Sequence, residues 1–280
     1  MPELPEIETV RRGLERETVG RRVKTADVRT AKLVRRNGAK KNFVGRVEGT
    51  KFKSVDRKGS LLVANLDSSD LLVFDLGETG RLRRAAPKEP VEPGTELVVS
   101  FTQGGQLRLV DPEGASEVFV VDAGKLLDEL PELSDLGLDP VAAPVSWTAF
   151  AQALVKRRND KLKPLLMDQS FVVGLGDLYT DEILYDAGLR ADREVATLST
   201  MEIRRLYRSL VEILHEATKH HGTSIEETHP FVDIHGKGGS YQEELQVWGR
   251  AGEACRRCRG TVGKTRVAGR TTFSCPSCQV

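Results

Sequence analysis

The sequence predicts an α+β, multidomain chain, and three observations carry that prediction. Short apolar runs divided by turn residues fill the stretch from about residue 22 to 122, helical patterning dominates 146–221, and all four cysteines fall in the last 26 of the 280 residues. The expected boundaries are 1–131, 132–235 and 236–280. A chain of this length can bury a large core and split into two or three domains.

Residues 3–18 read as a helix, because Ile7, Val10 and Leu14 recur at helical spacing. Next come runs at 60–66, 70–76, 96–101, 106–110 and 117–121. Dense strands at this spacing predict a sandwich or a barrel. Asp139-Pro140 through Pro144-Val145 reads as a linker. Ser146 is placed to cap a helix running to about residue 158. Further helices are expected at 161–169 and 177–187, around the Gly174-Leu175-Gly176 turn. Another spans 199–221, opened by the capping-box pattern Ser199-Thr200-Met201-Glu202 and ended by Gly222. Gly236-Lys237-Gly238-Gly239 predicts a flexible loop.

The formal net charge is only +1, so bulk charge does not announce a nucleic-acid binder. Its distribution is more telling. Residues 111–140 hold nine acids and one base, whereas Lys156, Arg157, Arg158, Lys161 and Lys163 crowd one short stretch. This segregation fits one basic face and an acidic far side. No apolar run approaches the ~20 residues a membrane helix needs, and the polar, acidic start lacks the pattern of a signal peptide. A cytoplasmic, monomeric protein is expected.

Cys255, Cys258, Cys275 and Cys278 form C-x2-C, sixteen intervening residues, then C-x2-C. That spacing predicts one structural zinc held by four thiolates, rather than two disulfides of a secreted protein. Residues 251–280 carry six basic side chains and one acid, so the metal-pinned hairpin is suited to phosphate contact. At the other end, Pro2 follows the initiator Met. Removal of that Met leaves a secondary amine, whose reference pKa near ~8 keeps much of it neutral and nucleophilic. Such an amine attacks an aldehyde-like carbon such as C1′ of a sugar and yields an iminium ion. Glu3 lies beside it, placed to handle protons, and Glu6 lies one helical turn further on. The alternative is a plain Pro/Glu helix start.

Several stretches together resemble the formamidopyrimidine-DNA glycosylase and endonuclease VIII family nearly end to end. They are Met-Pro-Glu-Leu-Pro-Glu-Ile-Glu-Thr-Val at 1–10, Lys163 through Asp168, Val172 through Tyr179 with Glu182, Glu244 through Arg250, and Gly269 through Cys275. The formamidopyrimidine branch fits the N-terminus best. The resemblance implies an N-terminal β-sandwich, a helix–two-turn–helix domain and a zinc finger. It also implies a base-excision DNA repair enzyme, a glycosidase with abasic-site lyase activity, acting on a nucleotide flipped out of the helix. On matching positions, Pro2 is the nucleophile, Glu3 its assistant and Arg270 the finger arginine at phosphates. Lys163 contacts DNA backbone, Lys237 belongs to a loop that closes over the flipped base, and Glu6 and Glu182 are structural acids. Gly174 and Gly176 admit a phosphate to backbone amides.

The departures cluster in the loops. The family lysine before a sandwich strand is matched only by Lys58 in Arg57-Lys58-Gly59-Ser60, displaced by one residue. That shift sends it to the other face unless a bulge restores it. Asp75-Leu76-Gly77-Glu78 replaces the segment with the void-filling methionine, and Glu113 follows Asp111-Pro112 where an arginine and a phenylalanine complete the wedge. Asp177 replaces an asparagine that contacts phosphate. Asp75, Glu78, Glu113 and Asp177 are thus acids at positions expected to face damaged, abasic or single-stranded DNA, the expected partner. The enzyme is the leading reading. The other is a catalytically weakened paralogue that binds damaged or single-stranded nucleic acid without efficient base excision.

Overall fold

A computed structural model describes residues 2–280, which divide into two compact units. The first comprises Pro2, 6–134 and 221–239; the second comprises 3–5, 135–220 and 240–280.

The first unit is a β-sandwich of two four-stranded antiparallel sheets. Its strands are β1 (Val23–Val28), β2 (Phe52–Lys58), β3 (Leu61–Leu66), β4 (Asp70–Asp75), β5 (Arg81–Ala85), β6 (Thr95–Phe101), β7 (Gln106–Val110) and β8 (Glu117–Asp122). One sheet runs β1-β6-β7-β5 and the other β2-β3-β4-β8. Strands β3 and β4 do not alternate apolar with polar, because both of their faces are covered. Leu62, Ala64, Leu72 and Phe74 point into the core with Ile7, Val10 and Leu14 of helix α1 (Leu4–Thr18). Val63, Leu71 and Val73 pack on the opposite side with Phe119, Leu126 and Leu130. Burying a sheet on both faces calls for continuous apolar strands. Helix α2 (Lys40–Val47) adds Phe43 and Val47 to the main core, where the sequence pattern predicts only strands. Segment 221–239 joins this unit through Phe231 and Ile234.

The second unit is helical, with a β-hairpin at its end. Ser146 caps α4 (Trp147–Val155), its side chain accepting from the Ala149 N–H, after a single-turn α3 (Leu126–Glu129) in the first unit. Then follow α5 (Leu162–Leu166), α6 (Asp177–Ala187) and α7 (Thr200–Lys219). The predicted capping box is present: the Ser199 hydroxyl accepts from Glu202 N–H, and the Glu202 carboxylate accepts from Ser199 N–H. The Arg193 guanidinium 2.5 Å away holds the Glu202 carboxyl down at about 2, helped by the Ser199 bonds against the opposing effect of burial. Strands β9 (Gly263–Val267) and β10 (Arg270–Ser274) close the chain. They are joined by the two-residue turn Ala268-Gly269, both at positive φ, as a tight antiparallel hairpin requires.

Candidate active site and metal centre

Pro2 lines a cavity of about 280 Å3 in the first unit. Val10, Leu76, Leu82 and Phe231 supply an apolar surface, while Glu78, Thr79, Glu113 and His229 supply polar groups. Behind it, Glu6 is fully buried; its carboxylate accepts from the Thr223 N–H at 2.7 Å and lies 3.8 Å from His229 Nε2. Gly222, at φ +85°, leaves room for that carboxylate, since a Cβ there would stand 2.5 Å from it. Glu6 thus ties the first turn of α1 to segment 221–239. The sequence reading missed His229, which carries no local motif and reaches the cavity only because its loop folds back on Ile225.

Glu3 belongs to the second unit. Its carboxylate accepts from the N–H groups of Gly176 (2.7 Å), Leu178 (3.0 Å) and Tyr179 (3.4 Å), at the N-terminus of α6. A carboxylate there satisfies donors that the helix leaves open and complements the helix dipole. This corrects the reading of the Gly174-Leu175-Gly176 turn. The Gly176 N–H is occupied by Glu3 and the Gly174 N–H by the Gln169 side chain, at 2.7 Å. The glycines are required because the chain at residues 3 and 4 approaches so closely: a Cβ on Gly176 would sit 2.6 Å from Glu3 Oε1, and one on Gly174 3.0 Å from the Leu4 Cβ.

Lys163 also differs from expectation. It is 0% exposed, so it is not placed to touch DNA backbone. Its Nζ donates to Asp181 Oδ1 (2.8 Å) and to the Thr271 carbonyl (2.6 Å), and lies 3.2 Å from Asp177 Oδ1. A buried ammonium requires such compensation. Asp181 in turn accepts from the Phe273 N–H at 2.7 Å, so one ion pair fastens α5 and α6 to β10. Burial pushes the Asp181 carboxyl up to about 7 against the pull of Lys163. Asp177 is not a bare acid: beyond Lys163, it lies 3.4 Å from Arg270 Nη1, at the exposed start of β10. Asp75 is likewise engaged, accepting from the Gly77 N–H of its own turn.

Lys58 is exposed, and the register of β2 with β3 is continuous from Ser54 to Lys58. No bulge returns it to the face of Arg57, which is buried and bonded to Glu8 at 3.3 Å. Lys58 does not line the Pro2 cavity. The Lys237 side chain is exposed, while its backbone N–H and carbonyl are both bonded to Asp233. Glu182 is buried and accepts from the N–H groups of Gln246 (2.8 Å), Val247 (2.9 Å) and Trp248 (2.8 Å). Burial raises its carboxyl, with those amides pulling the other way.

The four cysteines converge, with all four sulfurs within 4.8 Å of one another and none in a disulfide. The Cys255–Cys278 and Cys258–Cys275 pairs stand at 3.8 and 3.5 Å. A zinc with ~2.3 Å bonds to four thiolates makes a tetrahedron with edges of about 3.8 Å, so the donor set fits one structural zinc and leaves no open position. The Tyr185 hydroxyl lies 3.2 Å from Cys255 Sγ and orients that ligand from outside.

Family comparisons follow the same order along the chain. Residues 1–118 match the formamidopyrimidine-DNA glycosylase N-terminal domain, 136–229 the formamidopyrimidine-DNA glycosylase H2TH domain, and 252–280 the zinc finger found in FPG and IleRS. The formamidopyrimidine-DNA glycosylase of Pelotomaculum thermopropionicum is 35% identical, covering 100% of this chain and 99% of its own. That of Heliobacterium modesticaldum is 38% identical over the full length of both. Among solved structures, a Lactococcus lactis FPG variant in complex with Fapy-dG containing DNA aligns with a TM-score of 0.88 at 32% identity, covering 99% of each chain. The same organism's Fpg with abasic-site DNA gives 0.87 at 31%, again covering 99% of each. Full-length identity above 30%, three domain models in register and a matching fold make this chain a member of the formamidopyrimidine-DNA glycosylase family.

Proposed function

We propose that the protein is a bifunctional base-excision DNA repair enzyme: a glycosylase that removes a damaged base and a lyase that cuts at the resulting abasic site. The observation that carries this reading is Pro2 on the wall of a cavity of about 280 Å3. The relatives' names and the DNA held by the Lactococcus lactis proteins support it.

The chemistry begins once Met1 is removed. The Pro2 nitrogen bonds to C1′ as the bond from C1′ to the base breaks, and the base departs with a proton. The sugar ring opens, O4′ takes a proton, and an iminium forms between Pro2 and C1′. The iminium acidifies C2′; loss of a C2′ proton expels the 3′ phosphate, and a second elimination releases the 5′ side. Water then hydrolyses the iminium and frees Pro2. Glu3, held at the α6 N-terminus, fixes the chain at the residue next to the nucleophile and serves as its carboxylate. Arg270 contacts phosphate beside the lesion, Lys237 contacts the nucleotide, and Lys163 positions Arg270's strand from within. The zinc keeps the hairpin folded and enters no step. Catalysis belongs to the sandwich up to about residue 134 together with segment 221–239, which lines the Pro2 cavity, DNA binding to 135–220 and phosphate grip to 240–280. The enzyme works in the cytoplasm, where thiols stay reduced; no helix among the described residues is long and apolar enough to cross a membrane.

A strand-cleavage assay on abasic-site DNA tests this. Protein with Met1 removed should cleave, and a variant that retains Met1 should not. Equal cleavage by both would remove Pro2 from the mechanism.

A further inference from the structure

A cavity of about 490 Å3 opens in the second unit, where the C-terminal parts of α6 and α7 meet the turn between Cys255 and Cys258. Four carboxylates in its lining, those of Asp186, Glu212, Glu216 and Glu244, outnumber the two guanidiniums of Arg256 and Arg257. Both arginines are already engaged. Arg257 lies 4.5 Å from the centre of the Tyr185 ring and 3.6 Å from Asp186 Oδ1, and Arg256 donates to the Glu243 carbonyl at 3.3 Å. Glu244 is exposed, and its carboxylate has no hydrogen-bond or ion-pair partner among the described residues. Glu212 and Glu216 pair with exposed cations of their own helix, Arg208 at 3.6 Å and Lys219 at 3.3 Å. Such pairs are weak and easily exchanged.

Tyr241 lines the same cavity. It is 3% exposed, and its hydroxyl has no hydrogen-bond partner among the described residues. Burial raises the pKa of that hydroxyl, and the carboxylates of Glu182, Glu244, Asp186 and Glu216 act in the same direction. Three of those four acids belong to the lining, so the hydroxyl sits in the negative field of the cavity. A buried hydroxyl is ordinarily bonded; this one is left for an occupant. The carboxylates do not converge on a point: among the described residues, only the four cysteines bring three or more potential metal-ligand atoms together. A hard metal ion needs several oxygens around one centre, so the lining suits an extended cation instead.

We infer that this cavity binds an aliphatic polyamine, with its ammonium groups spread over the carboxylates of α7 and Glu244 and one of them donating to the Tyr241 hydroxyl. An ammonium carries three donors and no acceptor, which matches a lone hydroxyl oxygen among acids. Charges spaced along a flexible chain meet carboxylates that are themselves spaced. The volume lies within the ~300–1,000 Å3 usual for small-molecule sites.

Isothermal titration calorimetry of the zinc-loaded full chain with spermidine, in the absence of DNA, tests this. One spermidine should bind per chain, at least about tenfold more tightly than butylamine, which carries a single ammonium. Tyr241→Phe should weaken binding about tenfold, as loss of a hydrogen bond to a charged group does. It should leave the melting temperature of the ligand-free protein unchanged, because the hydroxyl has no partner to lose. Glu216→Gln with Glu244→Gln should weaken binding by a similar factor, and added salt should weaken it in the wild type. Asp128→Asn with Glu132→Gln removes the same charge from exposed positions of the first unit and should leave the affinity as it is. Absence of saturable binding, equal affinity for butylamine, or an affinity indifferent to both cavity variants overturns the inference. So does displacement of spermidine by magnesium at matched charge, which would mark a diffuse acidic surface, or a lowered melting temperature of ligand-free Tyr241→Phe protein, which would give the hydroxyl a structural role.

Discussion

Gly176→Ala isolates the contact that holds the start of the chain to α6. Residue 176 has φ −119°, so an alanine fits its backbone, and the difficulty is the neighbour. The new Cβ would stand 2.6 Å from Glu3 Oε1, 2.7 Å from its Cδ and 3.0 Å from its Cγ. The carboxylate must leave, abandoning the N–H groups of Gly176, Leu178 and Tyr179. Two of these bonds are short, and a hydrogen bond to a charged group contributes about 1.5–3 kcal/mol. The released amides regain partial hydration, and replacing glycine restricts the unfolded chain by about 0.4–1 kcal/mol in favour of folding. The net cost is about 3 kcal/mol, a fall in melting temperature of roughly 6–12 °C for a protein of this size. Abasic-site cleavage should fall with it, because residue 3 fixes the position of residue 2. Gly45→Ala is the control: it sits in α2 with nothing within 4 Å of the new Cβ, and should be neutral or stabilising by up to about 1 kcal/mol. Adding Glu3→Ala to Gly176→Ala should cost little more, since the contact is already lost. A Gly176→Ala protein as stable as wild type, or full additivity of the two changes, would show that the Glu3 carboxylate is not what holds the start of the chain to α6.

Three further outcomes follow from the geometry. Cys258→Ser, or removal of zinc by a chelator, should unfold the hairpin and weaken DNA binding while the far-ultraviolet signal of the sandwich and helices persists; metal analysis should return one zinc per chain. Asp177→Asn removes the acid that faces both Lys163 and Arg270, so binding to single-stranded and duplex DNA should tighten several-fold, and the salt dependence should steepen by no more than about one phosphate contact; unchanged binding would mean that Arg270 is not at phosphate. Glu202→Ala removes a capping box and the Arg193 pair, at a cost of about 1–2 kcal/mol at neutral pH. The folded carboxyl is depressed to about 2, so this stability is present above the unfolded value near ~4.5 and drains away as pH falls from there through about 2. Denaturation midpoints of wild type and variant should therefore converge in acid, and a gap constant with pH would contradict the pairing.

Features set by neighbours in the chain are legible in the sequence itself. The cysteine spacing, the Ser199–Glu202 capping box, the Ser146 cap and most of the strands each depend on a few adjacent residues. Features set by long-range packing are not. Lys163 sits in a basic stretch and reads as a surface cation, yet it is buried because Asp181 and the Thr271 carbonyl, 18 and 108 residues away, converge on it. Asp177 read as a bare repulsive acid for the same reason: its cations come from α5 and β10. Helix α2 escaped notice because Phe43 and Val47 are too few to display a period. The Gly174-Leu175-Gly176 turn reads as a place where amides meet a phosphate, but those amides are taken by the Gln169 side chain and Glu3, and what lies close to the glycines is the chain's own residues 3 and 4.

The proposed chemistry depends above all on a covalent bond between the Pro2 nitrogen and the opened sugar. Borohydride reduction of the protein with an abasic-site oligonucleotide, followed by proteolysis and mass spectrometry of the conjugate, measures this directly. One DNA adduct is expected, on the N-terminal peptide and localised to Pro2, lost when Met1 is retained. An adduct mapped to a lysine such as Lys58, or none on DNA that the protein binds, would contradict it.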